Sequence, residues 1–130
     1  ILSEQRAQTA ANLEFLDGIK ALAFEAREAI RGGDFDLLGE LLDRNWTLKK
    51  QLTSKISNSR LDEMHNLAMD CGANGAKICG AGGGGFLMAF CPHSNRRRLM
   101  EGMSQYRWMP TEIVADGSKV IFNYRRPSWK

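Results

Sequence analysis

The chain has 130 residues, of which 43% are hydrophobic and 25% are charged, and its formal net charge is +3. These values are typical of one globular domain and exclude the disordered and fibrous classes. The basic residues are spread along the chain, so the charge does not indicate a nucleic-acid-binding surface, and no apolar stretch reaches membrane-spanning length. The sequence begins with Ile1 in a helix-like segment, which is consistent with a piece of a longer protein.

The chain contains three cysteines, Cys71, Cys79 and Cys91. Their number is odd, they lack C-x-x-C spacing, and they fall in or beside apolar segments. This pattern is typical of reduced thiols, so we expect a cytoplasmic protein.

Three helices are predicted in the first half of the chain. The first ends at Gly32-Gly33, and Asp34 is then placed to cap the second. Ser59 and Asp62 resemble a capping box for the third, which Gly72 would end. The apolar face expected for the first helix consists of Phe15, Ile19, Leu22, Ala26 and Ile30.

In the second half the hydrophobic period changes to that of strands. The short apolar runs Ala76–Cys79 and Phe86–Cys91 are of strand length, and glycines connect them. Pro92 ends the second run, and Ser94 is placed to cap a fourth helix that continues to about Gln105.

A hairpin is predicted near the end of the chain, where Asp116-Gly117 joins 112–115 to 118–124 as a type I′ turn. The predicted order is therefore α-α-α-β-β-α-β-β in one domain over residues 1–130. This order favours an α+β sandwich, in which helices cover one face of an antiparallel sheet.

The segment Gly80–Gly85, called the glycine loop below, has five glycines in six positions between two predicted strands. Each glycine carries a cost in backbone entropy, so we expect a phosphate, a substrate or another protein segment to approach this backbone closely. A strand follows the G-x-G-x-x-G pattern, whereas a dinucleotide site requires a helix there. No Gly-Lys-Ser or Gly-Lys-Thr of a Walker A loop is present. A tight turn that needs positive φ remains the alternative, although two or three glycines would satisfy it.

The stretch Gly72–Phe86 resembles the third conserved motif of the GHMP kinases, the family of galactokinase, homoserine kinase, mevalonate kinase and phosphomevalonate kinase. The resemblance covers most of the chain and corresponds to the C-terminal domain of that family. In Lys77–Phe86 and in the tail Pro110–Phe122, the chain is most similar to sugar kinases related to D-glycero-D-manno-heptose 7-phosphate kinase.

This resemblance implies a ferredoxin-like C-terminal half that packs against an N-terminal half, with the active site in the cleft between them. The implied reaction transfers the γ-phosphoryl group of ATP, with Mg²⁺, to a hydroxyl of a sugar or sugar phosphate. The glycine loop would form one wall of that cleft. The residues carried over shape the site and are neither catalytic nor metal ligands; they are Lys77, Gly80, Ala81, Gly82, Gly83, Gly84 and Gly85.

The family's Pro-x-x-x-Gly-Leu-Gly-Ser-Ser-Ala phosphate loop and its catalytic aspartate belong to the other half and do not occur in these 130 residues. We therefore expect the isolated chain to be inactive and to bind neither ATP nor Mg²⁺ tightly. The expected partners are an N-terminal kinase domain, in the same or a separate chain, and a sugar phosphate. Two alternatives remain: a free-standing non-catalytic binding module, and a homo-oligomer that covers the exposed cleft surface with a second copy.

Overall fold

The structure is a computed structural model that describes residues 9–80, 83–112 and 117–118. Its elements in chain order are α1 (Thr9–Gly32), α2 (Phe35–Gln51), α3 (Ser59–Asp70), β1 (Gly75–Cys79), β2 (Phe86–Phe90), a 3-10 turn (His93–Asn95) and α4 (Arg96–Gly102). The α+β class and the order of the first six predicted elements are confirmed. The predicted second hairpin lies mostly at 113–116 and 119–124, outside the described residues. No helix in the described ranges is long and apolar enough to cross a lipid bilayer.

The N-terminal caps of α2 and α3 are formed by side chains that accept backbone N–H bonds. Asp34 caps α2 as predicted, with its carboxylate accepting an amide three residues on at 3.0 Å. The cap of α3 is Asn58, whose Oδ1 accepts the corresponding amide at 3.1 Å. The predicted capping box of Ser59 and Asp62 is wrong because Ser59 is already helical, and Asp62 instead accepts the Ser57 hydroxyl at 2.9 Å.

The last described helix, α4, is shorter than predicted and ends at Gly102. Ser94 does not cap it: the 3-10 turn occupies His93–Asn95, and Asn95 stands at the N-cap without a side-chain bond to the helix; its amide donates to the carbonyl oxygen of Gly72 at 3.1 Å instead. Arg98 donates to the carbonyl oxygen of Asp70 at 2.6 Å, which ties α4 to the end of α3.

Helices α1 and α2 pack together through Leu22, Ala29 and Leu41, all nearly fully buried. The prediction that Ile30 faces the core is wrong, because this side chain is 57% exposed. The buried stripe steps from Leu22 through Ala26 to Ala29, so position 30 lies beyond its edge.

Strands β1 and β2 pair antiparallel, with Lys77 opposite Met88 and Ile78 opposite Leu87. Adjacent residues of a strand point to opposite faces, so Ile78 and Lys77 lie on different sides of this sheet. The core beneath the glycine loop consists of Trp46, Leu52, Ile56, Leu61 and Ile78.

Helix α2 reaches both faces of β1. Trp46 packs in the core with Ile78, whereas the neighbouring Asn45 accepts a hydrogen bond from Lys77 on the other face. We infer that α2 lies along the edge of β1 that is not paired with β2. A bond of 2.7 Å between His65 Nε2 and Asp43 Oδ1 joins α3 to this helix.

Candidate functional site

The glycine loop leaves β1 at Gly80 and returns to β2 after Gly85; Ala81 and Gly82 lie outside the described residues. Its two arms are close together. A Cβ on Gly80 would lie 3.5 Å from the carbonyl oxygen of Gly84, and a Cβ on Gly85 would overlap the carbonyl oxygen of Cys79. The loop is therefore narrow where it joins the sheet.

The chain fixes this loop at two points. The backbone N–H of Gly83 donates to the carbonyl oxygen of Ile56 at 2.9 Å, and Ile56 is fully buried between α2 and α3. The Lys49 ammonium donates to the carbonyl oxygen of Gly80 at 2.7 Å. These bonds hold the loop against α2 and against the connection that follows it.

The loop glycines differ in what the fold requires of them. Gly80, Gly83 and Gly85 have positive φ values of 127°, 74° and 128°. Their backbone conformation alone explains why these positions are glycine. Gly84 has no positive φ, and a Cβ built on it meets no atom of the described residues within 4 Å. Among the described residues, Gly84 thus faces open space, and their packing does not explain why it lacks a side chain.

Lys77 lies in β1, three residues before Gly80, and is half-buried. Its ammonium donates to Asn45 Oδ1 at 2.6 Å. Asn45 and Lys49 stand four residues apart on one face of α2. The sequence motif identified Lys77 but neither Asn45 nor Lys49. The four-residue spacing of those two indicates a shared helix face. No local pattern shows that this face meets the glycine loop.

The site carries positive charge. Burial lowers the pKa of Lys49, and the neighbouring charge of Lys77 lowers it further, while Cys79 opposes the shift. In the described part of the chain, Lys49 and Lys77 form no ion pair with a carboxylate, whereas Lys50 pairs with Asp62 at 3.4 Å.

The described residues fit an anion better than a metal ion. Within 9–80, 83–112 and 117–118, no three His, Cys, Asp or Glu side chains come together as a possible metal site. The Lys49 ammonium, which is bonded to the loop at Gly80, and the neighbouring Lys77 ammonium can instead donate N–H bonds to oxygen atoms of a ligand.

An apolar surface adjoins the site. Phe86 is 62% exposed and Met88 is 48% exposed, and both share a sheet face with Lys77 because of the strand register. Beside them, a groove is lined by Phe86, Arg107, Trp108, Met109 and Pro110.

The family model described as "GHMP kinases C terminal" matches residues 26–107, which include the glycine loop, Lys49 and Lys77. A D-glycero-alpha-D-manno-heptose 7-phosphate kinase of Campylobacter jejuni is 34% identical over 92 residues, covering 71% of this chain and 27% of that protein. A mevalonate kinase of Pyrococcus furiosus is 37% identical over 91 residues, covering 66% of this chain and 25% of that protein.

A galactokinase of Pyrococcus furiosus is 30% identical over 104 residues, covering 75% of this chain and 29% of that protein. The chain therefore spans between a quarter and three tenths of the length of these curated relatives.

Proposed function

The chain belongs to the GHMP kinase family as its C-terminal domain, and on that premise we propose that it is one half of an ATP-dependent sugar or sugar-phosphate kinase. The proposed reaction moves the γ-phosphoryl group of ATP to a sugar hydroxyl, which gives up its proton, and releases ADP. The similarity to heptose 7-phosphate kinase and to galactokinase supports a sugar-type substrate. The mevalonate kinase relative supports the phosphotransferase class more broadly.

We propose that the glycine loop forms one wall of the cleft that holds ATP and the substrate. The observation that carries this role is Gly84, which faces open space without a conformational need for glycine. A bare backbone at that point lets a ligand come closer than any side chain would allow. The proposed wall consists of Lys77, Gly80, Ala81, Gly82, Gly83, Gly84 and Gly85.

In this proposal the domain positions ligands and excludes water, and it supplies no acid, base or metal ligand. Positioning and electrostatic stabilisation dominate phosphoryl transfer, so such a wall contributes to rate without touching the transferred proton. Mg²⁺ has no candidate site among the described residues, so its ligands would come from ATP and the other half of the enzyme.

The proposed partner is an N-terminal kinase domain. The exposed side chains of Phe86, Met88, Trp108 and Met109 support it, because apolar clusters on a surface mark contact sites. A second copy of this chain is the alternative partner, and it corresponds to a non-catalytic binding or oligomerisation module. The three unpaired cysteines support a cytoplasmic location.

The test is a Gly84→Val substitution in the intact kinase, with both halves present. ADP release is measured with heptose 7-phosphate and galactose as the first substrates. We expect kcat/KM to fall by about a hundredfold, because the added side chain displaces a ligand from its reactive position. The free energy of unfolding should change by less than about 0.5 kcal/mol, since the Cβ meets no atom of the part of the chain that the structure describes.

Gly32→Val is the matched control. Gly32 also has open space around its Cβ, but it ends α1, far from the glycine loop in sequence. This variant should keep wild-type kinetics. Unchanged kinetics of Gly84→Val in an active kinase would refute the role of the loop as a cleft wall. An intact protein that transfers no phosphoryl group from ATP would refute the kinase proposal itself.

A further inference from the structure

One face of α2 and the end of β1 hold two lysine ammonium groups in the same place. Asn45 and Lys49 lie one helical turn apart on α2. Asn45 accepts a hydrogen bond from Lys77. Lys49 donates one to the carbonyl oxygen of Gly80, three residues after Lys77. The two bonds measure 2.6 and 2.7 Å, and they run between the same two elements. Lys49 and Lys77 are therefore brought together at the entrance to the glycine loop.

This arrangement has an electrostatic cost. Both lysines are half-buried, and their bonded partners are a neutral amide and a neutral carbonyl. Within the described residues neither lysine forms an ion pair with a carboxylate, whereas the neighbouring Lys50 pairs with Asp62. Two like charges that are partly desolvated repel each other, and an anion placed between them would remove that repulsion.

The geometry also leaves donors free for such an anion. An ammonium group carries three N–H donors, and the bonds described above use one on each lysine. Phosphate oxygens accept charge-assisted N–H bonds readily, and the open backbone at Gly84 belongs to the same loop.

We propose that Lys49 and Lys77 together form a binding site for a phosphate group, carried by a ligand in front of the glycine loop. Lys49 has a second role in this site, because its bond to Gly80 fixes the start of the loop relative to that phosphate. The identity of the ligand, a nucleotide or a phosphorylated sugar, rests on the proposed function. The presence of the anion site does not.

The test is an NMR titration of this chain with inorganic phosphate, observed at the lysine Cε and Nζ signals. Chloride keeps the ionic strength constant, because screening alone shifts exposed lysines. We expect saturable shifts of Lys49 and Lys77, and an upward shift of the Lys49 pKa when phosphate is bound. Lys49→Met and Lys77→Met should each weaken binding about tenfold or more, the usual effect of losing a hydrogen bond to a charged group.

Lys50→Met is the matched control, because Lys50 is the next residue on α2 but pairs with Asp62. It should bind phosphate like the wild type, and Lys49→Arg should retain binding because it keeps the charge. Circular dichroism establishes that each variant is folded. If Lys77→Met is not folded, the comparison of Lys49→Met with Lys49→Arg decides alone. Titrations with ADP and adenosine, and with glucose 6-phosphate and glucose, separate the two sources of the phosphate.

Three results would overturn the anion site: no saturation with phosphate, equal binding by folded Lys49→Met, or equal weakening by Lys50→Met. Each would leave Lys49 as a structural link to Gly80 only. These outcomes are distinct from failure of the kinase proposal, which depends on turnover by the intact enzyme and on Gly84.

Discussion

The backbones of Gly39 in α2 and Gly75 in β1 are in direct contact, and a Cβ built on Gly75 would overlap the carbonyl oxygen of Gly39. A Cβ on Gly39 would in turn lie 2.8 Å from the Cβ of Asn74. Glycine at both positions therefore lets the helix approach the strand edge. The same approach lets Lys49, further along α2, reach Gly80 at the end of β1.

We expect Gly75→Ala to lower the free energy of unfolding by about 1–3 kcal/mol, because its methyl group forces α2 away from β1. Urea denaturation followed by circular dichroism measures this change. Gly32→Ala serves as the control, since a Cβ there meets no described residue and alanine favours the helix. Equal stability of the Gly75 variant and the wild type would contradict the described contact.

Asn58→Ala should destabilise the chain by about 0.5–2 kcal/mol, because it removes the side-chain cap of α3. Ser59→Ala should change stability by less than about 0.5 kcal/mol, since that exposed serine is not the cap. The same denaturation assay compares the two variants. A larger loss of stability from Ser59→Ala than from Asn58→Ala would show that Ser59 caps α3, as the sequence suggested.

The lowered pKa of Lys49 predicts how the stability of the fold depends on pH. Its pKa in the folded chain lies below the ordinary value of an unfolded lysine, so near neutral pH the partly desolvated charge, next to Lys77, destabilises the fold. As the pH rises from the folded pKa to the ordinary value, the folded state releases its proton first, and this destabilisation disappears. The free energy of unfolding of the wild type, relative to Lys49→Met, should therefore rise across that window. A constant or falling difference would show that Lys49 is not desolvated beside Lys77.

Burial raises the pKa of the Cys91 thiol, which donates weakly to the carbonyl oxygens of Gly72 and Pro92. The thiolate is the reactive form, so alkylation of Cys91 by iodoacetamide should be slow at pH 8 and should accelerate only at higher pH than in the chain unfolded in urea. Mass spectrometry of the peptide that contains Cys91 measures both profiles. Superimposable pH profiles in the two states would argue against the shift.

The isolated chain should show no phosphoryl transfer from ATP to heptose 7-phosphate or galactose in a coupled ADP assay. One wall of a cleft provides few of the contacts that align the reactants. Turnover at about 1–100 per second, the usual range of kinases, would mean that this chain carries the catalytic machinery itself. Addition of the N-terminal half, as a separate chain or in one polypeptide, should restore activity.

Much of the local structure could be predicted from sequence because its causes are local. The 3–4 spacing of apolar residues predicted the first three helices, and the glycine loop between two apolar runs predicted β1 and β2. The prediction at Ile30 failed because which residues lie at the edge of a buried stripe depends on the partner helix. The choice of Asn58 over Ser59 as a cap depended on where α3 starts, which is set within one residue by packing.

The sequence by itself determined the family, the α+β class and the position of the glycine loop, since motif, periodicity and turn residues are all read within short windows. Only the tertiary structure decided which glycine faces open space, which lysine binds the loop and which second lysine lies beside it. Lys49 and Gly80 are 31 residues apart, and Asn45 and Lys77 are 32 apart. No local pattern specifies such pairs, because they form only when α2 packs against β1 through Gly39 and Gly75. The loop was visible in the sequence, and the charged site beside it exists only in the fold.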